Sequence, residues 1–377
     1  MTIDITHLVA HFPPESYGGM ETHVRDLASE QSGYDDLDVT VVTTCPGETG
    51  DYSYKFDVRW AARIGEVKKA VVAPSLPLHL YRSDPDLVHV HVPFHGGFET
   101  AFLAKLALDV PVVSTIHMYG WDPSTLHKLY TNVFLNPLLR RSDAIVGSTG
   151  DYLSEFPIFD RISDRLNVIP HGVDMDRYSP VDQQQCEQFR AENGIPPEAR
   201  VVLFVGSLDE GHYYKRLDWL LEAMDRVQSD VEDAYLLVVG KGSRRPVFES
   251  LAKRLGIEDS VTFTGFLPDD AMPTAYTVAD TFVLPSEADL SESFGIVQLE
   301  AMACDTPVVA TDTPGSRVVG KEAGEVFTPG DIADLADTVA QVLATEYPSP
   351  RSVVQGRYDW TSVGQDWYDL YTEVLQP

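Results

Sequence analysis

Basic residues are scarce in this 377-residue chain: 28 Lys and Arg stand against 58 Asp and Glu, a formal net charge of −30. Binding to a phosphate backbone needs basic surface, so nucleic acid is not expected as a partner. Cysteine is also scarce. Cys45, Cys186 and Cys304 lie far apart and match no metal-ligand spacing, which argues against a disulfide framework and fits a reducing cytoplasm. No apolar run reaches the roughly 18 residues of a membrane span, and no basic segment followed by an apolar one opens the sequence. Neither a membrane-spanning nor a secreted protein is therefore expected. The motifs G-x-G-x-x-G and G-x-x-x-x-G-K-[ST] are both missing, which argues against a dehydrogenase and a P-loop enzyme.

The acidic surplus is mostly aspartate, 36 Asp to 22 Glu, and arginine outnumbers lysine, 19 to 9. Repulsion among so many like charges destabilises a compact state unless salt screens it, with a Debye length of about 3 Å at 1 M. Two readings stand: an acidic protein of ordinary cytoplasm, or a halophilic one from a cytoplasm held at molar salt. The second predicts that the thermal midpoint rises as KCl is raised from about 0.1 M to about 2 M. Full stability at the low-salt end of that melting series contradicts it.

What the chain does contain is an alternation of apolar runs and helical segments, and its length suggests two domains. In the first half, strands are expected at 3–9, 38–43, 87–92, 110–116, 144–147 and 166–169. Strands alternating with helices imply parallel, doubly wound sheets. Between the first strand and the first helix stands Gly18-Gly19, a pair that permits a tight turn and close backbone approach to a bound group, or serves the turn alone. Residues 59–82 are locally basic, with Arg59, Arg63, Lys68, Lys69 and Arg82. They read either as a solvated helix face or as a surface meeting anionic headgroups or a phosphorylated acceptor. His89 and His91 share one face of a buried strand, with no third metal ligand close in sequence; His117 ends the next strand and is a pocket candidate.

A connection without periodicity, from Pro170 to Gln185, marks a boundary after Gly172. The alternation restarts with strands at 201–205, 235–239, 261–263, 281–284 and 308–310, and a last helical piece occupies 356–377. The expected domains are 1–172 and 173–355, with that last piece packing back on the first. The stretch from Phe282 to Arg317 is the most informative. Strand, acidic loop and helix follow one another, with Glu292 just before the helix, Gly295 in its first turn and Glu300 about two turns in. Free N–H groups at such a helix start attract anions or polar oxygens. A capped surface helix with ordinary acidic decoration is the alternative.

In order along the chain, Gly18-Gly19-Met20-Glu21, Ser114-Thr115-Ile116-His117, Val168 to Asp174, Gly206 to Lys215, Gly240-Lys241-Gly242, Val261 to Gly265 and Glu292 to Glu300 resemble the motifs of the retaining glycosyltransferases of family four. The last is similar to that family's pair of glutamates separated by seven residues. The resemblance covers nearly the whole chain and implies an α/β protein of the GT-B fold, two Rossmann-like domains facing a cleft, with the acceptor on the first and the donor on the second. It implies an enzyme that moves a sugar from a nucleotide sugar to a glycan or lipid-linked acceptor with retention, without metal or cofactor. Lys215 and Gly19 would meet the diphosphate, Glu292 and His117 the sugar, and Glu300 the ribose. Phe266 and Leu267 would flank the base, and the amides of Phe294, Gly295 and Ile296 would reach the sugar too. Ser207 stands where the family often has Arg, and Arg216, next to Lys215, is the expected substitute. His171 stands where Asn is common. A phosphorylase or epimerase of the same fold, and a silent regulatory partner that binds nucleotide sugar, are the competing readings.

Overall fold

The computed structural model describes residues 2–16, 18–45, 53–67, 70–119, 129–288 and 291–376. The chain folds into two units, Met1–Gly172 with Trp360–Pro377, and Val173–Asp359. The return to the first unit thus falls at Trp360 rather than at 356.

The first unit is built on strands β1 (Ile3–Leu8), β2 (Leu37–Cys45), β3 (Asp57–Ala62), β6 (Leu87–Val92), β7 (Val112–Ile116), β8 (Ala144–Gly147) and β9 (Leu166–Val168), with a small antiparallel hairpin of β4 (Gly65–Val67) and β5 (Ala70–Val72) apart from them. The seven pair in the order β3-β2-β1-β6-β7-β8-β9, all parallel. The helix Trp360–Leu375 packs Trp360, Val363, Trp367, Leu370 and Tyr371 into one core with Ile5, Leu87, Val113 and Val146 of this sheet.

The second unit carries β10 (Arg200–Val205), β11 (Ala234–Val239), β12 (Val261–Gly265), β13 (Thr281–Leu284), β14 (Val308–Thr311) and β15 (Gly324–Phe327) in the order β12-β11-β10-β13-β14-β15, also parallel throughout. Its central strands β10, β11, β13 and β14 are largely apolar because helices cover both faces, whereas the edge strands β12 and β15 carry polar residues. Successive residues point to opposite faces of a strand, and the cores follow that period of two. Val201, Leu203, Tyr235, Leu237, Phe282 and Leu284 enter one cluster; Val202, Phe204, Leu236, Val238 and Val283 enter the other.

Residues 59–82 do not form the single helix face that was one reading of them. Arg59 lies on β3, the hairpin β4–β5 follows, and only Leu76–Ser83 is helical. Pairing of β3 with β2 claims the first part of the stretch for the sheet. Arg59 pairs with Asp57 at 2.8 Å and Arg63 with Glu15, while Lys68 and Lys69 lie outside the described residues. The acidic surplus has a local expression at Asp4. Burial, and then Asp38, Asp86 and Asp84 nearby, push its carboxyl above the usual carboxylate range. Among the described residues, no helix is long and apolar enough to cross a membrane.

Candidate functional site

Each sheet reverses its strand order at one place, and open parallel sheets bind ligands outside the carboxyl ends of the strands at such a place. In the second unit the reversal falls between β10 and β13, which are neighbours in the sheet. The chain leaving β10 runs through Gly206 to Lys215, and the chain leaving β13 runs through Pro285 to Gly295. These two connections meet.

Their meeting point is an ion pair. Lys215 Nζ donates to Glu292 Oε2 at 2.8 Å, with side chains 15% and 13% exposed. Burial alone lowers the pKa of Lys215, but the Glu292 carboxylate and Tyr214 outweigh it, and the net shift is upward. The ammonium is therefore held charged. Ser286 Oγ donates to the same Glu292 oxygen at 3.4 Å. The lysine stem lies over Gly206, where a Cβ would stand 2.8 Å from Lys215 Cδ.

Gly295 precedes the helix Ile296–Ala303 with φ 77° and ψ 68°, and a Cβ there would approach Leu284 Cδ2 to 2.4 Å. Both the left-handed backbone and the close strand contact require glycine. No side chain caps this helix start, so its first amides are not taken by a capping side chain. The loop itself rests on the turn after β14: at Gly315, φ 91°, a Cβ would lie 2.3 Å from the carbonyl oxygen of Ser293.

Glu300 follows in the helix, and its surroundings differ from those of Glu292. It is buried, and Tyr276 Oη donates to its Oε2 at 2.6 Å. Tyr178 bonds to the same carboxylate, and burial together with Glu300 raises the pKa of both phenols. Burial, then Glu300, also pushes the Cys304 thiol up to about 12. Glu300 is thus part of the second unit's core lattice as well as a residue of the helix that begins at the site.

The other sequence-predicted residues distribute as follows. Phe294 is buried in the core with its ring against Tyr358. Phe266, at the carboxyl end of β12, is 54% exposed, with Lys241 Nζ 4.9 Å from its ring centroid, and Leu267 packs against the core. Arg216 is next to Lys215 but is not brought to Glu292. Its guanidinium forks onto Asp218 at 2.7 and 3.0 Å, meets Glu287 at 3.3 Å, and lies 4.0 Å over Trp219. Ser207 Oγ hydrogen-bonds Asp209.

Gly19 and His117 belong to the first unit. Gly19 opens the helix Gly19–Gln31, after β1, and His117 follows β7. His117 does not stand alone. His7, His23, His89, His91 and His171 are buried with it, and burial lowers the pKa of all six, that of His7 to about 4. His171 Nδ1 is 2.9 Å from His23 Nδ1. The sequence reading found no third partner for His89 and His91; parallel register supplies it, by setting His7 beside His89 and His91 beside Thr115. His7 follows Ile5 by two residues on β1, which is the signal that could have placed it on this face.

Comparisons with known proteins agree with this architecture. Residues 17–177 match the Glycosyltransferase Family 4 description, and residues 185–360 match Glycosyl transferases group 1. The phosphatidyl-myo-inositol mannosyltransferase of Mycobacterium leprae (strain TN) is 29% identical over 373 residues, covering 95% of this chain and 93% of its own. Its counterpart in Mycobacterium tuberculosis is 32% identical over 312 residues, covering 78% of this chain and 75% of its own. The Anabaena protein HepE, solved in complex with UDP-glucose, superposes with a TM-score of 0.76 at 20% identity, covering 98% of this chain and 100% of that one. With two parallel-sheet α/β units, GT-B structural neighbours and these matches over both halves, the chain belongs to the family-four, group 1 glycosyltransferases.

Proposed function

We propose that this protein transfers a hexose from a nucleotide sugar to a hydroxyl of an inositol phosphate or of a lipid-linked acceptor, with retention of the anomeric configuration. The observation that carries the reading is the Lys215–Glu292 pair at the switch point of the second sheet, beside an uncapped helix start. Without donor, the two side chains satisfy each other. With donor, the ammonium turns to the diphosphate and Glu292 accepts from the sugar hydroxyls, so each exchanges one charged partner for another.

The reaction breaks the bond from the anomeric carbon to the diphosphate oxygen and forms one to the acceptor oxygen on the same face. The acceptor proton passes to the departing phosphate. Positive charge at Lys215 then offsets the charge that develops on the leaving group, a task for which some enzymes employ a metal ion. Glu300 contributes acceptors for the ribose, and Phe266 offers an exposed ring to the base. The lipid-linked acceptor rests on the names of the mycobacterial relatives. A thermal-shift screen of nucleoside diphosphate sugars tests the donor half. One base–sugar combination should raise the midpoint in the wild type and fail to do so in Lys215→Ala; no shift with any of them contradicts the reading.

The edge of the first unit near 59–82 supports contact with a membrane surface. Ile64, Leu78 and Tyr81 are 73%, 47% and 64% exposed, and Arg82 lies in the last turn of Leu76–Ser83. Vesicles containing anionic lipid are expected to bind the protein, and Arg82→Glu with Leu78→Asp to weaken that binding by about 10-fold or more. Vesicles that neither bind the protein nor alter its rate contradict this.

A further inference from the structure

We propose that His23, His91 and His117 form a binding site for a first-row divalent cation that prefers imidazole, such as Zn²⁺, in the first unit. This goes beyond sugar transfer and does not rest on it. One ring nitrogen from each of the three lies within 4.8 Å of the others, and His91 Nδ1 is 2.9 Å from His117 Nε2. Zinc holds imidazole nitrogens at about 2.0–2.1 Å in tetrahedral geometry. Neighbouring nitrogens then stand about 3.3 Å apart by that geometry, so binding the ion requires the three rings to adjust from their present spacing.

Hydrogen-bond bookkeeping orients the lone pairs. Gln31 donates its Nε2–H to Tyr371 Oη at 3.0 Å, which turns its Oε1 to His7. That oxygen accepts from His7 Nε2 at 2.7 Å, so in neutral His7 the Nδ1 must accept, and it accepts from His91 Nε2 at 3.0 Å. His91 Nδ1 is left with its lone pair, which faces His117 Nε2 at 2.9 Å and which an ion between the two rings would take over. His23 uses Nδ1 toward His171, and its buried Nε2 has no hydrogen-bond partner among the described residues. His117 Nε2 offers a lone pair once its proton resides on Nδ1, a tautomer change with no net proton loss. Burial favours the neutral form that ligation requires.

The arrangement also has the outer layer that metal-binding histidines need. Behind His91 stand His7 and Gln31, and behind His23 stands His171, each fixing a ring from its far nitrogen. The other close trio, His7, His89 and His91, is less suited. Both nitrogens of His89 are taken, by Tyr371 at 2.7 Å and Thr115 at 2.6 Å, and both of His7 are engaged. Three protein nitrogens leave a fourth position for water or a solute.

Cobalt(II) is the probe. The full chain, stripped with chelator and desalted, is titrated with CoCl₂ and followed by visible absorption and by metal content after gel filtration. One tightly held equivalent with the strong visible bands of four-coordinate cobalt is expected. His23→Ala and His91→Ala should each lose it, Gln31→Leu should weaken it by about 10-fold, and His79→Ala should leave it unchanged. Circular dichroism checks the fold of each variant. X-ray absorption at the cobalt edge of the wild type should count three imidazole ligands, and needs no variant. The proposal is overturned if the wild type retains no equivalent, if the equivalent survives both His23→Ala and His91→Ala, or if the edge spectrum shows oxygen ligands alone.

Discussion

Lys215→Ala is expected to lower kcat/KM for sugar transfer by about 100- to 1,000-fold, the range for removing one preorganised charge from a developing anion. Two effects combine. In the proposed reaction the leaving diphosphate loses the charge of Lys215, and Glu292 loses the partner that now stands 2.8 Å away. Truncating one member of a largely buried pair leaves the other charge uncompensated, which is costlier than removing both. Lys215→Ala with Glu292→Gln should therefore recover stability, read as the denaturant midpoint, while activity stays low. Lys215→Arg should not restore the rate. The lysine stem is threaded over Gly206, and a guanidinium differs from an ammonium in both size and geometry. Steady-state rates within about threefold of wild type for Lys215→Ala contradict a role at the diphosphate.

The two glutamates should separate in kinetics and in stability. If Glu292 accepts from the sugar as proposed, Glu292→Ala should mainly lower kcat. Glu300→Ala mainly weakens donor binding through the ribose, and it carries a second cost that sequence spacing does not reveal. Tyr276 and Tyr178 both donate to Glu300 inside the second unit's core. Removing the carboxylate strands two buried phenols, each about 1–3 kcal/mol. We expect Glu300→Ala to lose several-fold or more in donor affinity and about 2–6 kcal/mol of stability, and Glu300→Gln to recover part of both. Equal changes in kcat and in donor Kd for both alanine variants contradict this division.

Much of this was legible in the chain because parallel sheets write themselves as short, largely apolar runs. Val201 to Val205 and Thr281 to Leu284 read as strands from composition, and the structure pairs them as neighbours. The Glu292–Glu300 spacing and Lys215 were legible as chemistry-bearing residues, and the fold brings Lys215 and Glu292 together. What sequence could not supply was pairing between side chains far apart in the chain. Arg216 adjoins Lys215, yet a backbone with φ 46° turns it to Asp218 and Glu287. Residues 59–82 carry interleaved apolar and basic residues, but strand pairing divides them. The histidine cluster has the same origin. His89 and His91 were visible on one face, whereas His7 and His23 arrive through β1 and the helix Gly19–Gln31, and only strand order makes them neighbours.

The same limit applies to the covering elements. Tyr371 and Gln31 are 340 residues apart and hydrogen-bond at 3.0 Å. The last helical piece was expected to pack back on the first domain, and Trp367 and Tyr371 enter that unit's core, but which residues receive them was not legible. The sheet's own residues decide that, since the face of Ile5, Leu87 and Val113 is apolar and open to a helix.

The most direct measurement is the mass of the product. Purified protein, in molar KCl, is incubated with the nucleotide sugar chosen by thermal shift and with phosphatidylinositol or inositol phosphate as acceptor. The account predicts acceptor heavier by one hexose, formed with the anomeric configuration of the donor, and no such product from Lys215→Ala or Glu292→Ala. Tight donor binding by wild type with no transfer or donor hydrolysis would contradict it and leave a nucleotide-sugar-binding partner in its place.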